Sequence, residues 1–205
     1  MTSNIKGILF DLGGVLIDWN PRHLYGKLFG ADQDKMEFFL HRICPLEWNE
    51  LQDAGRKLSI ATDARVREHP NWEAEIRAYY GRWEEMIGEE IPGVAPILSE
   101  LSDRGLRLFA LSNWSLETFP LISDRFPVLR TFERIFLSGE ARLAKPDPRF
   151  YEYALRQIDL PRQRLLFVDD NPRNVEAARS LSLTSIVFRD ASQLRGELRK
   201  LHLPL

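Results

Sequence analysis

The stretch ILFDLGG places Asp11 directly after an apolar run and just ahead of the pair Gly13-Gly14. Glycine lets the chain turn sharply and lets a ligand approach the backbone closely. A carboxylate held at such a turn can attack a phosphorus or carbon centre as a nucleophile. Asp11 alone is equally consistent with a residue that caps the turn, so the other motifs must decide between these interpretations.

The stretch FVDDNPRN places two carboxylates, Asp169 and Asp170, side by side after an apolar run. Adjacent carboxylates at the mouth of a buried strand repel each other and resist desolvation unless a cation or several donors compensate them. Mg²⁺ suits such a pair, because it commonly binds one or two carboxylates with waters and a substrate phosphate. Asn174 is spaced to orient the metal ligands. The alternative is an anionic pair stabilised by the dipole of the following helix.

Two weaker motifs lie between these. LSNWS supplies Ser112 and Asn113, a hydroxyl and an amide that can donate hydrogen bonds to an anionic oxygen. Lys145 precedes Pro146, which favours an extended backbone and leaves the ammonium free to reach a shared site. Taken singly, Ser112-Asn113 is also typical of an ordinary turn, and Lys145 of a solvated surface lysine.

Continuous apolar runs predict the elements that position these residues. The runs cover 5–10, 106–112, 134–138, 164–169 and 184–188. Unbroken runs of this kind are typical of parallel strands buried on both faces. Helical patterns lie between most of them, which predicts an α/β fold with a doubly wound parallel sheet. The motifs all fall at the carboxyl ends of predicted strands, so the sheet would gather them at one edge.

Helix signals support this organisation. The segment 93–105 carries apolar residues at helical spacing, namely Val94, Ile97, Leu98 and Leu101. Asp147-Pro148 and Asn171-Pro172 each predict an N-cap followed by proline in the first helical turn.

Residues 19–90 contain several helical patterns and no convincing strand. We therefore predict a core domain formed by 1–18 and 91–205, with 19–90 as a helical cap domain inserted after the first strand. An insertion there would lie over the carboxyl ends of the strands, where open α/β sheets bind ligands.

The bulk properties exclude several classes of protein. The chain has 205 residues, 44 % of them hydrophobic, and a net charge of −2, which indicates a folded domain without a nucleic-acid partner. Its one cysteine, Cys44, cannot form an internal disulfide. No signal peptide is recognisable, and no apolar run approaches the roughly 18 residues that span a membrane. We expect a cytoplasmic protein with a small-molecule partner and no membrane partner; the oligomeric state is not predicted.

These motifs together resemble those of the haloacid dehalogenase-like hydrolase superfamily, over the whole chain. FDLGGVL is similar to its first motif, LSN to its second, the lysine of AKP to its third and FVDDN to its fourth. The inserted helices resemble the family's cap of the dehalogenase and phosphoglucomutase type. The Asp-x-Gly first motif is similar to that of bacterial glucose-1-phosphate phosphatase-like members. The resemblance implies a Rossmann-like core with a helical cap.

The resemblance also implies a role for each motif. Asp11 would be the nucleophile that becomes an aspartyl-phosphate, and Lys145 would neutralise charge. Ser112 and Asn113 would bind the phosphoryl group. The ligands of Mg²⁺ would come from Asp11, the carbonyl of Gly13, Asp169 and Asp170.

Gly13 departs from the pattern of most phosphatases of the family, which carry a second aspartate there as general acid and base. General acid–base catalysis is typically worth about 10²–10⁴-fold. Asp18 and His23 are candidate replacements, although each is also consistent with a hinge or surface residue. Without a replacement, phosphates with acidic leaving groups would be favoured.

The leading hypothesis is a Mg²⁺-dependent phosphatase acting on a small phosphorylated metabolite. A sugar phosphate is one such substrate, because an anomeric phosphate leaves readily. The alternative is a 2-haloacid dehalogenase, in which Asp11 displaces halide; halide needs no proton to leave, so the missing acid fits this chemistry. The adjacent carboxylates argue against it, as does Gly13 at a position where dehalogenases of the family usually carry an aromatic residue. A third hypothesis is a weakly active, phosphate-binding regulatory module.

Overall fold

The computed structural model describes residues 4–203, so the outermost residues of the predicted core segments 1–18 and 91–205 lie outside the described residues. Seven strands occur in the described range: β1 (Gly7–Phe10), β2 (Ile17–Trp19), β3 (Ile87–Glu90), β4 (Arg107–Ser112), β5 (Arg134–Leu137), β6 (Leu165–Asp169) and β7 (Thr184–Val187). Five of them form one parallel sheet in the order β5-β4-β1-β6-β7. The predicted doubly wound α/β fold is therefore confirmed.

Strand β1 lies at the centre of this sheet and pairs in parallel with β4 on one side and β6 on the other. Every residue of β1 and β6 is buried, which explains why their sequences are apolar without alternation. The chain order reverses on the two sides of β1, and such a switch point opens a crevice at the carboxyl ends of the strands.

The helices of the described range are α1 (Arg22–Phe29), α2 (Gln33–Phe38), α3 (Leu46–Asp53), α4 (Leu58–Glu68), α5 (Glu73–Gly81), α6 (Val94–Asp103), α7 (Phe119–Ile122), α8 (Ser138–Ala141), α9 (Pro148–Leu155), α10 (Pro172–Ser180) and α11 (Ala191–Lys200). A π-helical turn, Phe39–Ile43, follows α2, and short 3₁₀ turns lie between several elements.

Three helix predictions are confirmed in detail. The apolar residues of α6 that lie at helical spacing are all buried. Asp147 caps α9 by accepting from the backbone N–H of Arg149, and Asn171 caps α10 by accepting from that of Arg173. Proline occupies the first position of both helices, where no backbone N–H is needed.

The prediction that 19–90 contains no strand was wrong at both ends of that segment, because β3 pairs antiparallel with β2, whose last residue is Trp19. The sequence of β3, IGEE, carries two glutamates and a glycine, so it lacks an apolar run. Its strand conformation comes from pairing with a distant segment, in which Trp19 is opposite Ile87 and Ile17 opposite Glu90. This pairing brings the two ends of the helical insertion together; the division into core and cap domains stays a prediction.

An aromatic cluster forms the interior of the helical insertion. The rings of Tyr25 and Phe39 lie 4.6 Å apart, and those of Trp48 and Tyr79 lie 5.2 Å apart at an interplanar angle of 88°. This cluster is continuous with one face of the central sheet, so the insertion packs firmly on the core. Among the described residues, no helix has the length and apolar character required to cross a membrane.

Candidate active site

Asp11 follows the last residue of β1 and is only 8 % exposed. Its Oδ1 accepts a hydrogen bond of 2.7 Å from the backbone N–H of Leu12, and its Oδ2 lies 2.9 Å from Nζ of Lys145. The turn after β1 therefore fixes Oδ1 of Asp11, and the ammonium of Lys145, from a distant part of the chain, lies against Oδ2.

Lys145 is held by the second motif. The side chain of Asn113 donates from Nδ2 to the carbonyl of Lys145 at 2.9 Å and accepts at Oδ1 from its backbone N–H at 2.8 Å. The lysine side chain is fully buried, and its Nζ also lies 2.7 Å from Oδ2 of Asp169. Lys145 is therefore not a solvated surface lysine. Its ammonium reaches the shared site as expected, but it is paired there rather than free.

The two adjacent carboxylates have different environments. Asp169 is completely buried, and its oxygens accept from Lys145, from the backbone N–H of Asn171 and from Nδ2 of Asn174. Asp170 is exposed and lines the cavity above the sheet edge. Asp169 is thus engaged with protein donors, whereas Asp170 faces the space where a ligand can bind.

One oxygen from each of Asp11, Asp169 and Asp170 lies within 4.8 Å of the others. Burial is the main cause that raises the pKa of Asp11 to about 7; the charge of Asp169 adds to this and Lys145 opposes it. Burial and the neighbouring Asp169 also raise the pKa of Asp170. Three carboxylates around one ammonium carry excess negative charge, and oxygen donors of this kind fit a hard divalent cation such as Mg²⁺.

The two glycines of the first motif have different structural requirements. Gly14 has φ +75°, and a side chain there would collide with the carboxylate of Asp170. Gly13 has no positive φ, and an added Cβ would meet only Cβ of Trp19, at 3.8 Å. Gly14 is therefore required by the local geometry, whereas at Gly13 the structure leaves room for a Cβ.

Asp18 and His23, the acids suggested by the sequence, bind each other. Nε2 of His23 lies 2.7 Å from Oδ2 of Asp18, and the two side chains are 39 % and 48 % exposed. Neither is among the described residues that line the cavity at Asp11. The geometry offers no support for either as the missing acid.

The cavity at Asp11 has a volume of about 290 Å³ and lies between the sheet edge and the inserted helices. Of the predicted site residues it is lined by Asp11, Gly13, Ser112, Asn113, Lys145 and Asp170, whereas Asp169 lies behind them. The sheet edge therefore brings the motifs together.

Aromatic and aliphatic side chains form much of the remaining wall: Trp19, Trp83, Trp114 and Leu46. The indole nitrogens of all three tryptophans are buried. The surface that these side chains present to the cavity is consequently hydrocarbon.

Sequence reasoning missed the polar residues that α3 contributes to the cavity, which are Asn49, Glu50 and Asp53. Asp53 is 7 % exposed, and its Oδ2 accepts from Nδ2 of Asn49 at 2.7 Å. The four-residue spacing of Asn49 and Asp53 would place them on one face of a helix, which is the signal available in the sequence. That spacing alone does not indicate which surface the face covers.

Comparison with known proteins gives a consistent result. The family model of the haloacid dehalogenase-like hydrolases matches residues 5–181. The drimenol cyclase drtB of Aspergillus calidoustus is 33 % identical over 204 residues, which are 95 % of this chain and 36 % of the cyclase. The chain thus spans about a third of that protein.

A second relative matches along its whole length. The sesquiterpene phosphatase astK of Aspergillus oryzae is 27 % identical over 208 residues, with 98 % of each chain covered. Among solved structures, a HAD family enzyme of Bacteroides thetaiotaomicron superposes with a TM-score of 0.70 at 23 % identity, covering 93 % of this chain and 98 % of that one. This structural likeness supports the fold.

Proposed function

Because this chain belongs to the haloacid dehalogenase-like hydrolases, we propose that it is a Mg²⁺-dependent phosphatase that forms an aspartyl-phosphate on Asp11. The observation that carries the proposal is the cluster of Asp11, Asp169 and Asp170, the first two of which contact the buried ammonium of Lys145. Such a cluster can hold both a nucleophilic carboxylate and a divalent cation beside one cavity.

The side chains divide the work according to their contacts. Asp11 is the nucleophile, and Lys145 opposes the effect of burial that would otherwise protonate it. Asp169 positions Lys145, since its oxygens are engaged by protein donors. Ser112 binds the transferring phosphoryl group. The side chain of Asn113 positions Lys145 instead of binding phosphate, because its amide is engaged with the lysine backbone.

The ligands proposed for Mg²⁺ are the carboxylates of Asp11 and Asp170 and the carbonyl of Gly13. When bound, the ion neutralises charge on the phosphoryl oxygens. Asp170 is assigned as a direct ligand because it faces the cavity, whereas Asp169 is covered.

The walls of the cavity favour a phosphate monoester with an apolar organic group. Trp19, Trp83 and Trp114 line the same cavity as Asp11, and their indole nitrogens are buried. Binding of a ligand with an apolar body is favoured, because it removes apolar surface from water. The relative of Aspergillus oryzae is a sesquiterpene phosphatase, which supports the same substrate class. This wall is better suited to an isoprenoid-like alcohol phosphate than to a sugar phosphate.

The carboxylate cluster also bears on the alternatives. A metal-free 2-haloacid dehalogenase would leave the cavity-facing carboxylate of Asp170 without a cation, since Lys145 pairs with Asp11 and Asp169. A regulatory module would not need a nucleophilic carboxylate beside Lys145. Neither alternative is favoured by a specific feature of the cavity.

The test is a panel of phosphate monoesters with isoprenoid, alkyl, aryl and sugar groups, assayed with Mg²⁺ and with excess chelator, beside halide release from 2-haloacids. We expect phosphate release that requires Mg²⁺ and is fastest for apolar esters. Turnover that persists in chelator, or halide release without phosphate release, would overturn the proposed function. Preference for sugar phosphates would overturn only the substrate class.

A further inference from the structure

A phosphatase with this active site needs a proton for the oxygen that leaves phosphorus, and Gly13 has no side chain to supply one. The cavity lined by Asp11 and Gly13 is also lined by Asp53, the last residue of α3. Asp53 thus comes from the insertion that covers the sheet edge, not from the strand ends that carry the other site residues.

Asp53 is held in one orientation by a chain of hydrogen bonds inside the insertion. Nδ2 of Asn49 donates to Oδ2 of Asp53 at 2.7 Å, and the hydroxyl of Tyr80 donates to Oδ1 of Asn49 at 2.9 Å. Nε2 of Gln52 approaches the same hydroxyl at 3.2 Å. These bonds fix the amide of Asn49, and through it the carboxyl of Asp53.

A second set of contacts fixes Asp53 relative to the core. Its backbone carbonyl accepts a hydrogen bond of 2.6 Å from Oγ of Ser138, which begins α8 directly after β5. Oγ of Ser138 also accepts at 2.8 Å from the backbone N–H of Trp114, two residues after Ser112. The position of Asp53 is therefore tied to the sheet edge that carries Asp11.

The surroundings of Asp53 favour its protonated form. Burial is the largest cause that raises the pKa of this carboxyl well above its ordinary value, and the charges of Glu50 and Asp11 act in the same direction. The backbone N–H of Ser115 and the side chain of Asn49 oppose the effect. A raised pKa favours the protonated carboxyl, which is the form that a general acid requires.

We propose that Asp53 is the general acid and base that replaces the carboxyl missing at Gly13. This inference rests on the proposed phosphatase function. As Asp11 attacks phosphorus and the bond to the leaving oxygen breaks, the Asp53 proton is transferred to that oxygen and leaves a carboxylate. This carboxylate then takes a proton from the water that attacks the phosphorus of the aspartyl-phosphate. The bond from phosphorus to Asp11 breaks, inorganic phosphate leaves, and Asp53 is protonated again.

The test uses two esters that differ in their need for a proton. The leaving group of 4-nitrophenyl phosphate departs as a stable anion, whereas that of n-hexyl phosphate does not. We expect Asp53→Asn to slow the single-turnover phosphorylation of Asp11 by hexyl phosphate about 10²–10⁴-fold. The rate of phosphorylation by nitrophenyl phosphate should change little. Gly13→Asp in the same background should restore part of the hexyl phosphate rate, since a Cβ at Gly13 meets no close contact.

Asp18→Asn is the matched control, because it removes a carboxylate that does not line the cavity among the described residues. We expect it to leave the rate ratio of the two esters unchanged. An equal loss with both esters in Asp53→Asn would show a structural role and overturn the proposal, as would no loss with either. Wild-type protein that forms no phospho-enzyme with either ester would instead contradict the proposed function.

Discussion

The Nζ of Lys145 lies 2.7 Å from Oδ2 of Asp169, and both side chains are completely buried. Two buried charges are costly to desolvate, so the pair persists because each partner compensates the other and donors cover the remaining carboxylate oxygen. The same ammonium reaches Asp11 at 2.9 Å. The site thus contains an ion pair that is formed entirely by the protein's own side chains.

Lys145→Met should destabilise the protein by about 3–5 kcal/mol, because it leaves Asp169 as an uncompensated buried charge. The double variant Lys145→Met/Asp169→Asn should regain most of this loss, since neither partner is then charged. Urea unfolding in the presence of chelator measures both effects. A double variant as unstable as the single one would show that the pair contributes through packing and not through charge.

The two adjacent aspartates should respond differently to substitution. Asp170→Asn should abolish measurable Mg²⁺ binding with little effect on stability, because Asp170 is exposed and faces the cavity. Asp169→Asn should weaken binding only by roughly 10–100-fold, as expected for a residue that orients the ligands. Titration calorimetry with MgCl₂ and urea unfolding distinguish them. Stronger loss of Mg²⁺ affinity in Asp169→Asn would reverse the assignment.

Asp11→Asn should abolish the phospho-enzyme and reduce turnover to background, because the amide keeps the shape of the side chain and removes the nucleophile. Intact-mass measurement after rapid acid quench detects the covalent intermediate in the wild type. Appreciable residual turnover in Asp11→Asn would indicate direct attack of water on the substrate.

Alanine substitutions at the two glycines form a matched pair. Gly14→Ala should destabilise the protein by at least about 1 kcal/mol and impair Mg²⁺ binding, because φ +75° is unfavourable for alanine and its Cβ would displace Asp170. Gly13→Ala should change stability by less than about 0.5 kcal/mol, since its nearest new contact is at 3.8 Å. Urea unfolding of both variants provides the measurement, and equal effects would contradict this assignment of conformational roles.

Asp53 should make the stability of the wild type fall as the pH rises above about 4, the ordinary pKa of aspartate. Above that pH the unfolded chain releases this proton, whereas the folded protein retains it because burial raises the pKa of Asp53. Each pKa unit corresponds to about 1.4 kcal/mol. The unfolding free energy of Asp53→Asn, measured relative to that of the wild type, should therefore be more favourable to folding at pH 7 than at pH 4. The pKa of Asp11 is also raised, but Asp11 is present in both proteins and its contribution is common to them.

Unfolding free energies at several pH values test this difference directly. Parallel pH profiles for wild type and Asp53→Asn would mean that Asp53 ionises in the folded protein near its ordinary pKa.

The sequence by itself determined the sheet and the placement of its motifs. Buried parallel strands require continuous apolar runs, and a motif that follows each run must reach the same sheet edge. For this reason the five strands, the caps of α9 and α10, and the convergence of Asp11, Lys145 and Asp169 on one edge follow from local pattern.

Only the tertiary structure decided the features that depend on contacts between distant segments. β3 has no apolar run and is a strand because β2 pairs with it. Asp169 and Asp170 are the same residue type in adjacent positions, and they differ because Lys145 and Asn174 engage one while the other faces the cavity. Asp53 reaches the cavity because α3 packs over the sheet edge, and the burial that this packing creates is a property of the folded chain.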